Sequence, residues 1–542
     1  MPRLSYNYLI FIAAGVALYF QSLFYDLTFL DDNLWVHEYY WYLKDIGNIP
    51  KILTSPDLIT PIFYRPLLNL SFMLNAVWGG ENPFTYHLFN IFVHVVSVCM
   101  IYGLFVRLGY LKRLAFIMSV IFLVHPVLTQ AVIWIPGRTD TLLAMVTLLS
   151  FHCLLDYLNS SKCMALLLHI LFLAMAFFIK ETAVVIPVIG LAFLLLEKKK
   201  GLDKQGISSI KRFLPLILAW VGALIVLFSW RNHVLSHGKQ AEISEMLMSL
   251  LHNLPSIIQY VGKVFLPVNL SVLPNMTDTS FVYGTGCAIL LIFFIVRSRQ
   301  SSSRRIIFGA IWFLGFLLPS LVLSFIKHEY RLYLPMIGMM IILMELDVTK
   351  MLVQKKIGYT AAIAAALLLA AVTWRYSGSY KDRYTFWRLA VEQSPNHPLA
   401  YRNLGAMYYL DGHYGQAEKY FQKTLEINPL EPMVHNNLGL IYKNRKQYAS
   451  AEKEFKIEIN LNPDYDTVYY NLGVMYLEQE RFTEAIQAWN KTLELNPMNL
   501  SALKNTAIAY LRLNDLESAR RYVKRLRSQG GDVPPSIMEF LF

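Results

Sequence analysis

The chain has 542 residues, 55% of them hydrophobic and 16% charged, with a mean hydropathy of +0.40. That balance excludes an ordinary soluble globular protein and places the chain in a membrane. The formal net charge of +12 resides largely in loops beside apolar runs, so it reads as a topology signal and not as a nucleic-acid footprint.

Apolar segments fall near residues 8–24, 86–106, 114–124, 139–155, 164–179, 182–196, 213–230, 281–296, 306–326, 332–346 and 357–374. Several approach the roughly 20 residues that a bilayer core requires, which predicts about eleven spans. The first lacks a small-residue cleavage site and reads as a retained anchor. Cationic residues cluster beside alternate span ends: Arg3; Arg107, Lys112 and Arg113; Lys162; Lys198 to Lys200; Arg297, Arg299, Arg304 and Arg305; Lys350, Lys355 and Lys356. The positive-inside rule assigns those loops to the cytoplasm. The stretch FLDDNLW, residues 29–35, then lies outside, in the periplasm or an organelle lumen, and an odd span count puts the C-terminal region there as well.

The external side collects polar chemistry. The first loop runs to about residue 85, carries Asp31, Asp32 and Arg65, and is interrupted by Pro50, Pro56, Pro61 and Pro66. The second apolar segment begins with His87, Asn90 and His94; later external stretches hold His125, Arg138 and Asp140, then Lys180 and Glu181, then Lys327, His328, Glu329 and Arg331. Ionisable groups at membrane depth are expensive and tend to line a cavity. Their shared sidedness predicts one external cavity at the membrane surface. His87, Asn90 and His94 are spaced i, i+3, i+7 and share a helix face, but a rise of about 1.5 Å per residue sets the histidines roughly 10 Å apart, too far to chelate one ion together. Cys99, Cys153, Cys163 and Cys287 show no CxxC spacing, so neither a disulfide framework nor a zinc site is indicated.

After Trp374 the apolar runs give way to mixed polar helices with a strict period. Pro395, Pro429, Pro463 and Pro497 are spaced by 34, as are Tyr408, Tyr442, Tyr476 and Tyr510, and Ala417, Ala451, Ala485 and Ala519. This is the tetratricopeptide period. The chain thus divides into a membrane domain over 1–376, a linker helix over 377–394, four repeats over 395–530 and a tail over 531–542. Asn403, Asn437, Asn471 and Asn505 recur on the first helix of each repeat. Their carboxamides match a peptide bond and could dock an extended polypeptide; the alternative is that they bond neighbouring helices.

The motifs Tyr64-Arg65-Pro66-Leu67, Leu70-Ser71-Phe72, Leu74-Asn75, Tyr86-His87-Leu88 and Asn90, His125-Pro126, Gly137-Arg138-Thr139-Asp140, Lys180-Glu181-Thr182 and Arg331-Leu332-Tyr333-Leu334-Pro335 run in order through the membrane half. With the repeats behind them, they resemble the transmembrane and tetratricopeptide-containing O-mannosyltransferases, within the C-type glycosyltransferase superfamily related to protein O-mannosyltransferases. The resemblance implies an all-α fold, a multi-span bundle followed by an α-solenoid, and a polyprenyl- or dolichyl-phosphate sugar as donor, with inversion at the anomeric carbon. It also implies that the acidic pair Asp31-Asp32 is catalytic. Thr139 departs from the pattern, in which a small residue usually separates Arg from Asp.

The chemistry suits those residue types. Transfer from a lipid phosphate to a hydroxyl needs a base, and a carboxylate in a partly dry pocket has a pKa raised towards a useful value. Asp31 is the expected base, with Asp32 orienting the acceptor or tuning its neighbour. Phosphate leaves without being protonated, so cations are required in place of a second acid. Arg65, Arg138, Lys180 and Arg331 are expected to hold the donor phosphate, with His87, Asn90, His94, His125, Asp140, Glu181 and Glu329 in support. A divalent metal stays open, with Asp140 or Glu181 as candidate ligands. The expected partners are the lipid-phosphate sugar, a protein or peptide acceptor docked by the repeats and the surrounding membrane lipid, with no nucleic acid. The rival readings are a non-catalytic, membrane-anchored docking scaffold and, behind it, a transporter.

Overall fold

The computed structural model describes residues 6–196, 206–235, 243–322 and 329–533. The predicted basic residues Lys198 to Lys200, together with Lys327 and His328, lie outside them, as does the chain from residue 534 onward. Among the described residues the chain is helical without strands, and it divides into two compact units, residues 1–394 and 395–542.

The first unit is a multi-pass membrane bundle, and each of the eleven apolar segments contains helix within its described residues. Among the described residues six helices are long and apolar enough to cross a bilayer: Tyr6–Phe24, Pro83–Arg107, Ile135–Ser160, Phe213–Val234, Ser303–Leu321 and Lys356–Tyr380. A seventh span is available if Lys112–Val124 and Pro126–Ile133, which meet at a 51° bend, cross together. The other expected spans, Cys163–Phe177, Glu181–Leu196, Phe281–Arg297 and Tyr333–Glu345, are shorter apolar helices. At 1.5 Å per residue the last, with 13 residues, reaches only about 20 Å, so among the described residues six or seven of the expected spans are long enough to cross by themselves and four are shorter.

Several polar groups within the bundle are bonded across helices. His94 joins Tyr333 through its Nδ1 at 2.6 Å and the carbonyl of Leu123 through Nε2 at 3.1 Å. Trp220 donates Nε1 to His169 Nε2 at 2.7 Å, and His169 in turn contacts Ser150. Leu218, Ile225 and Val226 on the helix Phe213–Val234 are exposed, as is Leu367 on Lys356–Tyr380, a distribution suited to lipid contact.

The loop before Pro83 folds into its own small core. Leu27, Trp35, Val36, Tyr42, Leu43, Ile52, Leu68 and Phe72 bury together, and Trp35 stacks on Phe72 with ring centroids 3.9 Å apart. Pro50 and Pro66 start helices, Ile49–Thr54 and Pro66–Gly79, where a missing N–H costs nothing. These prolines initiate structure where the sequence reading had them interrupting it.

The second unit comprises four helix pairs: Pro398–Leu410 with Tyr414–Ile427, Val434–Asn444 with Tyr448–Leu461, Asp466–Glu478 with Phe482–Leu495, and Leu500–Arg512 with Leu516–Ser528. Ala417, Ala451, Ala485 and Ala519 are fully buried, because the 34-residue period brings a small side chain to the closest approach in every pair. The turn inside each pair uses one left-handed residue, at Gly412, Lys446, Glu480 and Asn514 with φ of 77°, 60°, 59° and 58°. Only the first of these is glycine, so the repeat enforces the same turn on side chains that disfavour it.

Each of the four periodic asparagines already has a partner. Asn471 donates to Asn436 Oδ1 at 2.9 Å and Asn505 donates to Tyr470 Oη at 3.3 Å, both on the first helix of the preceding repeat. Asn403 and Asn437 accept from their neighbours Arg402 and Asn436. Two of the four thus bond across to the preceding repeat, and two bond within their own helix. Asn471→Ala is expected to destabilise the repeat unit by about 1 kcal/mol, because Asn436 is buried and loses its donor. Thermal melting of the isolated substitution in the full-length protein reads this directly.

Candidate active site

The segment Phe29 to Asn33 is held in a fixed, unusual conformation. Phe29 and Asp31 adopt φ of 61° and 67°, a region that non-glycine residues seldom occupy. Asp32 supplies the clamp: its Oδ2 accepts from the Thr28 backbone N–H at 2.7 Å and the Thr28 hydroxyl at 2.8 Å, and its Oδ1 accepts from the Asn33 N–H at 3.0 Å. Trp134 donates Nε1 to the carbonyl of Leu30 at 2.8 Å. Asp32 is consequently 2% exposed while Asp31 faces outward. The adjacent acids thus do different work, since the same turn that buries one presents the other.

Asp31 lines a cavity of about 550 Å³, within the usual range for small-molecule sites. No hydrogen bond reaches its carboxylate among the described residues. The surrounding protein desolvates it and the charge of Asp32 opposes its ionisation, which together raise its pKa to about 6. Burial raises Asp32 as well, against the donors that stabilise its charge.

Cations reach the cavity from distant stretches. Arg65, immediately before Pro66, donates Nη2 and Nε to Glu181 Oε2 at 2.9 and 3.2 Å and lies 3.9 Å over the Phe63 ring. Lys180 donates Nζ to both oxygens of Asp140, at 2.9 and 2.8 Å. Desolvation and the neighbouring arginines lower the Lys180 pKa, and Asp140 works against that shift. Arg331, from the short turn Glu329–Leu332, donates Nη1 to the Ser320 carbonyl at 2.8 Å. Arg231, at the end of the helix Gly206–Val234, also lines the wall, and its Nε is buried without a hydrogen-bond partner among the described residues. Thus two cations are neutralised by carboxylates, whereas Arg231 and Arg331 have no carboxylate bridge among the described residues.

Arg138 departs from the expected pattern. It is fully buried and its guanidinium is spent on the protein: Nε donates to Asn90 Oδ1 at 3.0 Å, Nη1 to Asn75 Oδ1 at 2.7 Å and to the Ser71 carbonyl at 3.1 Å, and Nη2 to the Tyr86 carbonyl at 3.2 Å. It is absent from the cavity wall, so the assignment of Arg138 to the donor phosphate is corrected to an internal tie. The reason is helical geometry: residues two apart point about 200° apart, so Asp140 faces the cavity and Arg138 faces the bundle. Gly137 makes the close approach possible, since a Cβ there would sit 2.7 Å from the Gln130 carbonyl oxygen.

Other expected supporting residues also stand away from the wall. Asn90 serves Arg138. His87 is buried, His94 ties helices together, and His125 bonds the Val264 carbonyl through Nε2 at 3.0 Å. Glu329 is fully buried with Lys263 at 2.7 Å and the Ser271 N–H at 3.2 Å. Asp31, Arg65, Asp140, Lys180, Glu181 and Arg331 do meet at one cavity. Among the described residues no three His, Cys, Asp or Glu side chains are arranged to hold a metal.

Sequence reasoning missed Arg231, Asp57, Trp134 and Tyr330. For Arg231 a signal existed: it follows an apolar run whose other end carries Lys211 and Arg212, so it is a cation at the end of its span opposite the basic cluster. Trp230 beside it donates Nε1 to Tyr64 Oη at 2.9 Å, which anchors that helix end to the Tyr64-Arg65 loop.

Residues 61–230 match the family model for dolichyl-phosphate-mannose-protein mannosyltransferase. Residues 398–429, 420–453 and 467–499 match tetratricopeptide-repeat models. The chain is 34% identical over 132 residues to protein O-mannosyl-transferase TMTC1 of Mus musculus, a match covering 24% of this chain and 14% of that protein. It is 32% identical over 166 residues to protein O-mannosyl-transferase TMTC2 of Mus musculus, covering 27% and 18%. Protein O-mannosyl-transferase F38B6.6 of Caenorhabditis elegans is 25% identical over 384 residues, covering 66% of this chain and 52% of that protein. The matched segments therefore span less than a fifth of the two mouse proteins and about half of the nematode one. A mannosyltransferase-type membrane domain joined to tetratricopeptide repeats is the combination that the sequence resemblance implied. Arg65, Asp140, Lys180 and Glu181 fall inside the matched domain; Asp31, Arg231 and Arg331 reach the same cavity from outside it.

Proposed function

We propose that this relative of protein O-mannosyl-transferases is an inverting glycosyltransferase that moves a sugar, mannose by family analogy, from a polyprenyl or dolichyl phosphate to a hydroxyl of a protein acceptor. One observation carries the reading: among the described residues a single cavity holds a carboxylate without a hydrogen bond, its pKa raised to about 6, together with two arginines that no carboxylate bridges. A docking scaffold gives no reason for that combination, which is costly to maintain.

Asp31 takes the proton of the acceptor hydroxyl as its oxygen bonds to the anomeric carbon. The bond from that carbon to the phosphate oxygen breaks, and the lipid phosphate departs with the electron pair. Arg331 and Arg231 receive the developing charge. Arg65 and Lys180 hold the cavity walls through their ion pairs and contribute positive potential without contacting the phosphate directly. Asp31 then releases its proton to water. One displacement at one carbon inverts it, and a single base is sufficient because phosphate needs no proton to leave. The cavity opens on the non-cytoplasmic side, and the repeats present the polypeptide acceptor there.

The test is reconstitution of the full-length protein in lipid with polyprenyl-phosphate mannose and a hydroxyl-bearing protein acceptor, with hexose addition read by mass spectrometry. Arg231→Gln and Arg331→Gln are each expected to reduce kcat/KM for the donor about 10- to 100-fold, the scale of losing one charge-assisted contact in a dry site. Wild-type rates in both variants would remove the phosphate from that wall. Absence of transfer by the parent from any lipid-phosphate sugar would remove the enzymatic reading.

A further inference from the structure

The cavity contains a second polar wall that the transfer chemistry leaves unused. Asp57 is 4% exposed, and its Oδ1 accepts the backbone N–H groups of Ile59 at 3.1 Å and Thr60 at 2.8 Å. Its Oδ2 is buried and has no hydrogen-bond partner among the described residues. Glu181 repeats the arrangement: Oε2 is held by Arg65, and Oε1 is buried without a partner among the described residues. Both side chains line the cavity, and Arg65 interacts electrostatically with both. Each carboxylate thus has one oxygen held by the protein and one buried without a partner among the described residues.

An ionised carboxylate only accepts hydrogen bonds, so two buried acceptor oxygens without partners among the described residues, on side chains that line the cavity, call for a ligand rich in donors. A bound cation would meet the charge of Arg65 at close range, which disfavours a metal there. Neutral hydroxyl groups meet no such repulsion, and Trp35 and Phe63 among the lining residues add aromatic surface suited to the C–H groups of a sugar ring. We propose that Asp57 and Glu181 form the subsite that reads the hydroxyls of the transferred sugar, a step that rests on the glycosyltransferase reading. The subsite sets which sugar is accepted, while Asp31 and the arginines set what is done with it. A site built to bond a hydroxyl rejects the analogue lacking it, because the protein acceptor is then stranded.

The experiment measures binding of polyprenyl phosphate, polyprenyl-phosphate mannose and the 2-, 3-, 4- and 6-deoxymannosyl lipids to the purified full-length protein and to Asp57→Asn. The substitution is isosteric, and asparagine's carbonyl still serves Ile59 and Thr60, so only the open oxygen changes. The parent is expected to bind the mannosyl lipid about ten-fold or more tighter than the bare lipid phosphate, with at least one deoxy analogue losing that gain. Asp57→Asn should lose the gain while binding bare lipid phosphate unchanged, and should no longer distinguish that deoxy analogue. Equal parental affinity for the lipid with and without sugar overturns the subsite, as does an Asp57→Asn protein that keeps full discrimination. A parent that favours the sugar-bearing lipid yet transfers nothing keeps the subsite and overturns the enzymatic reading instead. Should Asp57→Asn fail to fold, the deoxy series on the unmodified protein together with Glu181→Gln decides the same question.

Discussion

Asp31→Asn is expected to abolish transfer, by about 10²- to 10⁴-fold or more, while leaving the protein folded and inserted in the membrane. Asparagine matches aspartate in shape and is among the side chains that best tolerate the left-handed backbone found at this position, with φ of 67°. The change therefore removes proton-accepting capacity with little conformational cost. The pH dependence gives an independent check. In the parent, kcat/KM should rise with pH and level off above about 6, as the Asp31 carboxylate loses its proton. Stability moves in the opposite direction. The unfolded group titrates at 3.8 and the folded one at about 6, so the folded state holds the proton more tightly between those values, and this group's contribution to stability falls as pH rises through that window. Asp31→Asn has no such group. Its melting temperature relative to the parent should accordingly increase between pH 4 and pH 7. An inactive variant that melts well below the parent at pH 7 would show that Asp31 builds the site instead of acting as its base.

Arg138→Ala is expected to destabilise the membrane unit by about 3–5 kcal/mol and to reduce the yield of monodisperse protein sharply. The guanidinium is fully buried and ties Asn75, Asn90 and two backbone carbonyls from the segments before and within the second long span. Its plane also lies 4.2 Å over Phe72 and 4.8 Å over Phe89. Truncation strands acceptors that water cannot reach. Arg138→Lys should recover little of the loss, since an ammonium preserves the charge but not the fork that meets four acceptors. Thermal melting and gel filtration of both variants distinguish this tie from a phosphate ligand. A well-folded Arg138→Ala whose donor KM alone rises would restore the phosphate role expected from the sequence.

These two residues mark where the sequence was legible. Membrane class, helical architecture and the 34-residue repeat follow from hydropathy and period, because each is a property of neighbouring residues along one chain. The convergence of Asp31, Arg65, Asp140, Lys180, Glu181 and Arg331 was also readable, since charges on one side of a membrane have few places to go except a shared cavity. Which member of each neighbouring pair faces that cavity was decided by the tertiary structure. Asp31 and Asp32 are adjacent in the chain, yet a left-handed turn and three hydrogen bonds to Asp32 send them in opposite directions. Arg138 and Asp140 are both polar and both external by position, yet helical rotation assigns one to the bundle and the other to Lys180. Asp57 carries no distinguishing motif, and its unpartnered oxygen gains significance only because the fold buries it beside the cavity. Sequence period and hydropathy therefore determined what kind of molecule this is. The roles of individual polar side chains were decided by folding, because a hydrogen-bond partner is a fact of three-dimensional neighbours.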